Sequence, residues 1–235
     1  MQLANHTKQH AFGKEHAAGY DARNSHLLPV NENLLYLVSV ILADLPADSK
    51  ILSVGAGTGS EIIALAQFFP QFTFTAVDPS EYMLEVCRER LKERGLLSRC
   101  ELRHGYVQDL PDQERFQAAI CLLVLHHTGG QQRENLVEGI FRRLKFGGTF
   151  IASELIYDFS AAAPDDLMEK WQSLLSKTDV PREKILSLPI TMREHLSIET
   201  VSEFSSILQK AGFPPPTQFF QSLLIHAWYV KKILI

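Results

Sequence analysis

Apolar positions recur along this chain in two alternating rhythms. At helical spacing, Leu34, Leu37, Val38, Ile41, Leu42 and Leu45 make one stripe. Ile62, Leu65, Ala66 and Phe69 make a second, Leu84, Cys87 and Leu91 a third, and Leu136, Val137, Ile140 and Leu144 a fourth. Between the stripes stand short β-forming runs at 51–54, 72–77, 100–104, 118–125 and 149–155. The run A-A-I-C-L-L-V-L at 118–125 is almost wholly apolar, as a central parallel strand buried on both faces should be. Ser80 is placed to cap the third helix and Gly95 to end it. Gly147 and Gly148 are expected to turn the chain into the fifth strand. Such alternation predicts an α/β fold with a mostly parallel sheet covered by helices on both faces.

The rhythm changes after the fifth strand. Residues 156–196 are polar and helical in character, with Leu167, Met168, Trp171, Leu174 and Leu175 on one face. A segment this long is not a plain connection. It is expected to be a lid or a dimer-forming element outside the sheet. Leu208, Ala211 and Gly212 close a last helix, which Pro214, Pro215 and Pro216 stop. Two β-rich runs follow, at 217–222 and 224–230, too close for a crossover. They are expected to pair antiparallel at the sheet edge. No repeat or second core is visible. The chain therefore divides into an arm (1–32), a core (33–155), a helical insert (156–196) and a C-terminal helix with edge strands (197–235) of one domain.

Candidate chemistry begins where the first strand breaks. Residues 51–60 read I-L-S-V-G-A-G-T-G-S. Gly55, Gly57 and Gly59 let backbone approach a ligand closely, which a nucleoside-bearing cofactor needs. A dinucleotide-binding loop, G-x-G-x-x-G, would want glycine at position 60, where this chain has Ser60. Asp78 ends the second strand 19 residues after Gly59, near the spacing of roughly 20 seen in βαβ nucleotide sites. An acid at that strand tip can accept both ribose hydroxyls.

Composition narrows the classes. The 235 residues, 46% hydrophobic, suit one α/β domain with a substantial core. A net charge of −4 argues against a dedicated nucleic-acid surface, so no direct nucleic-acid binding is expected. Cys87, Cys100 and Cys121 have no metal or disulfide spacing, which suits a reducing, cytoplasmic compartment. Residues 1–16 are too polar for a signal peptide, and no apolar run approaches the ~20 residues of a membrane span. His6, His10 and His16 are irregularly spaced, so this stretch reads as an arm and no metal is expected.

V-G-A-G-T-G at 54–59 resembles the first motif of class I S-adenosylmethionine-dependent methyltransferases. H-G-Y-V-Q-D-L-P at 104–111 is similar to that family's G-D-A-x-x-L-P stretch, with Tyr106 at the acid's place. V-L-H-H at 124–127 and L-K-F-G-G at 144–148 resemble its V-L-H-H and L-K-P-G-G segments, with Phe146 for proline. The resemblance implies a Rossmann-like seven-stranded sheet with an antiparallel C-terminal edge strand, and S-adenosylmethionine as cofactor. It implies that Gly55, Ala56 and Gly57 approach the methionine and ribose portions and that Asp78 holds the ribose. Pro79, Tyr106 and Val107 then lie by the adenosine, with Asp109 a second candidate for the adenine contact. Leu122 would back the methionine end. His126, His127 and Glu154 are candidate general bases toward a small-molecule acceptor. Tyr20 and His26 of the arm are expected over the acceptor.

The family also carries an acid two residues before the first glycine, where this chain has Ser53. With Tyr106, two expected acids are replaced. The whole layout, including S-I-E-T at 197–200 and K-A-G-F at 210–213, is similar to the carboxy-S-adenosylmethionine synthases of tRNA modification. On that alignment Asn31 lies near the methionine end. The carboxylate-holding arginine falls at Leu186, with Arg182, Lys184 and Arg193 the nearest basic residues. Three readings follow: a methyltransferase acting on a small molecule, a synthase of that kind, or a silent cofactor-binding module. The first is preferred, since methyl transfer needs little beyond alignment and a dry pocket. A homodimer is compatible with each.

Overall fold

The computed structural model describes residue 17 and residues 27–160, 166–178 and 180–233. Tyr20, His26 and the histidines of the arm lie outside them. A helix α1 (Leu28–Leu42) precedes strand β1 (Lys50–Val54), and α2 (Ser60–Phe68), β2 (Thr73–Asp78), α3 (Glu81–Glu93), β3 (Cys100–His104) and β4 (Phe116–Leu122) follow. Then come α4 (Gly130–Arg143), β5 (Leu144–Leu155), α5 (Leu167–Leu175), α6 (Arg182–Leu186), α7 (Leu188–His195) and α8 (Val201–Lys210). Strands β6 (Thr217–Ser222) and β7 (Ile225–Lys231) close the chain.

The sheet has seven strands in the order β3-β2-β1-β4-β5-β7-β6. Strands β1 to β5 pair in parallel, and β7 pairs antiparallel with both β5 and β6. The expected hairpin is therefore present. Its second strand slots beside β5, so the reversed strand is second from the edge and β6 is the edge itself. Strand order reverses between β1 and β4, and ligands of such sheets bind outside the strand ends at that crevice.

Burial follows the pattern read from the chain. Ser80 Oγ accepts the Met83 amide and starts α3, and Gly95 at φ +68° follows its end. One sheet face is covered by α4 and α8, where Phe150, Phe204, Phe213 and Trp228 interlock with Val137 and Ile140. The other is covered by α1 and α2, with Leu34, Val38, Leu42, Ile62 and Leu65 against Ile51, Phe74 and Ile120. Each such side chain contributes about 1.5–3 kcal/mol on burial. The insert joins a third cluster, in which Met168, Trp171 and Met192 meet Leu27 and the hairpin residues Leu224 and Ile225.

Three boundaries differ from the sequence pattern. Helix α1 opens at Leu28 with proline in its first turn, so the arm's boundary at residue 32 falls inside it. Strand β4 stops at Leu122 instead of running to residue 125, because Leu123 adopts φ +57° and a 3₁₀ turn follows at Leu125–His127. Strand β5 starts at Leu144 with no separating turn. Gly147, at φ +76°, sits where the pairing with β4 shifts between Phe116 and Ala118, so the two glycines form an irregularity within a strand.

Candidate functional site

The glycine turn leaves β1 with three left-handed residues, Gly55 (φ +68°), Gly57 (φ +52°) and Gly59 (φ +77°). The amides of Gly55 and Ala56 donate to Val77 O at 2.8 and 3.1 Å, which ties the turn to the end of β2. Asp78 then closes the cradle. Its Oδ2 accepts the Gly57 amide and its Oδ1 the Ser80 amide, each at 2.8 Å. Each carboxylate oxygen keeps a further lone pair, one for each hydroxyl of a vicinal diol. Asp78 is buried, and burial raises its carboxyl above the ordinary range while the two amides pull it back. The Arg90 guanidinium braces the turn from α3, donating to Thr58 O, Thr58 Oγ1 and Ser60 Oγ.

A side chain at Gly55 would force Val124 to move. A Cβ there would stand 2.5 Å from Val124 Cγ2, in a backbone conformation that side chains rarely adopt. Gly55→Ala is expected to destabilise by about 1–3 kcal/mol through strain and overlap. Adding Val124→Ala should relieve the overlap and leave the strain. Thermal melts of the single and double variants test this, and equal losses in both would remove the steric part of the argument.

Ser53, where an acid was expected, is buried and donates its hydroxyl to Glu61 Oε1 at 2.5 Å. Glu61 lies in the first turn of α2, directly after the glycine turn. The carboxyl missing from the strand is thus present across a hydrogen bond from the helix. Burial pushes Glu61 up to about 7. This residue was absent from the motif reading. Its one sequence signal was an acid in the first turn after the loop, which also reads as an ordinary helix-dipole partner.

At the end of β3, Tyr106 is 55% exposed. Asp109 Oδ2 accepts the Tyr106 amide at 2.7 Å, so this acid is engaged in holding its own turn. Pro79 is exposed, and its carbonyl lies 3.1 Å from His104 Nε2, joining the ends of β2 and β3. The Val107 side chain points into the core, fully buried.

The ends of β4 and β5 are bound by Glu154. Its Oε1 accepts the amides of Val124 and Leu125, and its Oε2 accepts the amide and Nδ1 of His126. Four donors fill the carboxylate, which leaves Glu154 no lone pair for a substrate proton. With His126 Nδ1 donating, its Nε2 is the nitrogen that can accept. His126 is buried, and the partly exposed His127 ring lies 4.2 Å from it, centroid to centroid. Leu122 is half-buried at the strand tip. Arg133, buried on α4, donates to the carbonyls of Leu125, Thr128 and Ser197 and pairs with Glu199. Ser197 N in turn donates to His126 O.

The remaining candidates lie on α1 and on the helices of the insert. Asn31 is partly exposed in the first turn of α1, next to Leu27 and Val30 of the insert cluster. Leu186 is 63% exposed on α6. Arg182 borders an outer concavity with Glu169 and Gln172. Arg193 lies over the Phe159 ring at 5.1 Å and donates to Phe159 O, just beyond β5. Burial raises all three thiols, Cys100 to about 12, so none is a thiolate nucleophile at neutral pH.

Comparison with known proteins agrees with this fold. A family model described as a methyltransferase domain matches residues 51–148. The chain is 32% identical over 212 residues to a demethylmenaquinone methyltransferase of Clavibacter sepedonicus, covering 86% of this chain and 81% of that one. It is 25% identical over 230 residues to a carboxy-S-adenosyl-L-methionine synthase of Campylobacter jejuni subsp. doylei, covering 92% of each. An O-methyltransferase family protein from Burkholderia thailandensis shares the fold with a TM-score of 0.67 at 13% identity, over 91% of this chain and 59% of that one. The chain thus spans little more than half the length of the solved structures it first matches. No described helix is long and apolar enough to cross a membrane.

Proposed function

The chain belongs to the class I S-adenosylmethionine-dependent methyltransferases, and from that premise we propose that it methylates a small-molecule acceptor held between the strand ends and the 156–196 insert. The observation that carries the cofactor side is Asp78, buried and fixed by the amides of Gly57 and Ser80 beside a turn of left-handed glycines. Asp78 takes the ribose hydroxyls, and Gly55, Ala56 and Gly57 face the ribose and methionine portions. Pro79 and Tyr106 flank the adenine with the Val107 amide, and Leu122 and Asn31 lie toward the methionine end. When bound, the cofactor would supply a methyl group on sulfonium, to whose carbon an acceptor lone pair bonds in line as the C–S bond breaks and the neutral thioether leaves with the bonding electrons.

The protein's own share is alignment and exclusion of water. Glu154 holds the 124–126 amides and the His126 ring, so it positions the wall of the site. His126 Nε2 is the proton acceptor the geometry favours over Glu154, with His127 beside it. The insert packs its apolar face on this chain's Leu27, Leu224 and Ile225. That contact supports a cover over the crevice more than a dimer element.

A carboxy-S-adenosylmethionine synthase is the second reading, favoured by likeness over 92% of the chain. Such an enzyme must hold a carboxylate beside the sulfonium, a task suited to a bidentate arginine. Leu186 cannot do this, Arg182 faces the outer concavity, and Arg193 is engaged with Phe159. Mass spectrometry of ligand carried through purification separates the readings. S-adenosylmethionine or S-adenosylhomocysteine is expected. A carboxylated cofactor, or its formation from S-adenosylmethionine and prephenate, would overturn methyl transfer, and its loss in Arg193→Ala would identify the arginine.

A further inference from the structure

Glu61 is an acid without a cation. Its carboxyl accepts the Ser53 hydroxyl, and it forms no ion pair among the described residues. Groups facing it are Asp78 from β2, Arg90 and Cys87 from α3, Cys100 from β3 and Cys121 from β4. Asp78 opposes its ionisation and Arg90 favours it. The guanidinium of Arg90 is turned to the Thr58 carbonyl and the Thr58 and Ser60 hydroxyls.

A half-buried carboxyl whose ionisation is opposed costs the ligand-free protein stability. Its folded value, about 7, lies above the ordinary 4.5, so the folded chain binds more protons in that window. Stability then falls as pH rises from about 4.5 toward 7. A cation placed beside Glu61 would reverse that cost. The cofactor carries a cationic ammonium on its methionine portion, and Glu61 stands one hydrogen bond from the strand position two residues before Gly55.

We propose that Glu61 is the anionic end of the cofactor site and pairs with the ammonium of the methionine portion, while Ser53 orients its carboxylate. This rests on the cofactor reading above. The acid has moved from strand to helix, so the loss of a carboxylate at Ser53 is compensated within the same site. Binding then requires an ionised Glu61. Affinity rises with pH up to about 7 and levels off above it.

The test is calorimetry on the full chain with S-adenosylmethionine itself and two probes. S-adenosylhomocysteine carries the ammonium but no sulfonium, and 5′-methylthioadenosine carries neither. Glu61→Gln keeps an acceptor for Ser53 and should weaken S-adenosylhomocysteine about ten- to a hundredfold, the equivalent of one charge-assisted hydrogen bond. Binding of methylthioadenosine should be unchanged, and the rise in affinity toward pH 7 should vanish. Adding Ser53→Asp to that variant should restore tight binding by returning a carboxylate from the strand side. Equal loss for both probes would show a structural brace, and loss for neither would show a bystander. A loss confined to S-adenosylmethionine would move the contact to the sulfonium, and each of these three outcomes overturns the proposal. If the unaltered protein bound neither probe, the cofactor reading itself would fall.

Discussion

Asp78→Ala is expected to abolish useful affinity for S-adenosylhomocysteine. The carboxylate orders the turn through the Gly57 and Ser80 amides, and it offers one free lone pair per oxygen to the ribose. Two charge-assisted hydrogen bonds at about 1.5–3 kcal/mol each correspond to a loss of about a hundredfold or more. The loss should extend to methylthioadenosine, which shares the ribose, and so differ from that of Glu61→Gln. Asp78→Asn retains one acceptor oxygen and turns an amino group toward one of the two donating amides, so it should rescue little. Calorimetry with both probes decides, and unchanged affinity in Asp78→Ala would remove the ribose assignment.

The largest stability effect is expected at Arg133. Its guanidinium is buried and joins the turn after β4 to the segment that leaves the insert. Arg133→Met fills similar volume but strips the Leu125, Thr128 and Ser197 carbonyls of a shared donor and leaves Glu199 unpaired. The Thr128 and Ser197 carbonyls left short of a donor cost about 1–3 kcal/mol each, and the partly exposed Glu199 adds less. At roughly 2–4 °C per kcal/mol for a chain of this size, Tm should fall by about 10 °C. A melt within a degree or two of the unaltered protein would show that water replaces the guanidinium.

Much of the frame was legible because period and burial coincide. The run at 118–125 announced a central strand, and the positions at 62, 65 and 66 announced the helix that covers it. Asp78 was legible because its distance from Gly59 is set by one helix and one strand. The end of β4 was not. Leu123 carries no glycine signal for its positive φ, and the fold tolerates it because Glu154, 31 residues on, captures the amides that follow. The same long-range capture recasts Glu154, which a strand-end position alone presents as a base. Glu61 was hidden for a related reason. Its neighbour Ser53 lies eight residues back and meets it only once the chain has turned through three glycines.

The two ends of the insert are fastened to each other. Ile156, where the insert begins, forms a bridge with Glu199, three residues past its end, and Ile156 N also donates to Leu224 O. Whatever lies between those points therefore begins and ends at one place on the sheet, like a handle on a cup. Changing the length of such a loop costs little closure entropy, about 0.6 kcal/mol for each doubling. The strands beneath need not register the change. If the handle covers the acceptor as proposed, acceptor choice can drift by its exchange while the proposed cofactor cradle stays as it is, and a lineage built on this chassis acquires new substrates by replacing one contiguous piece.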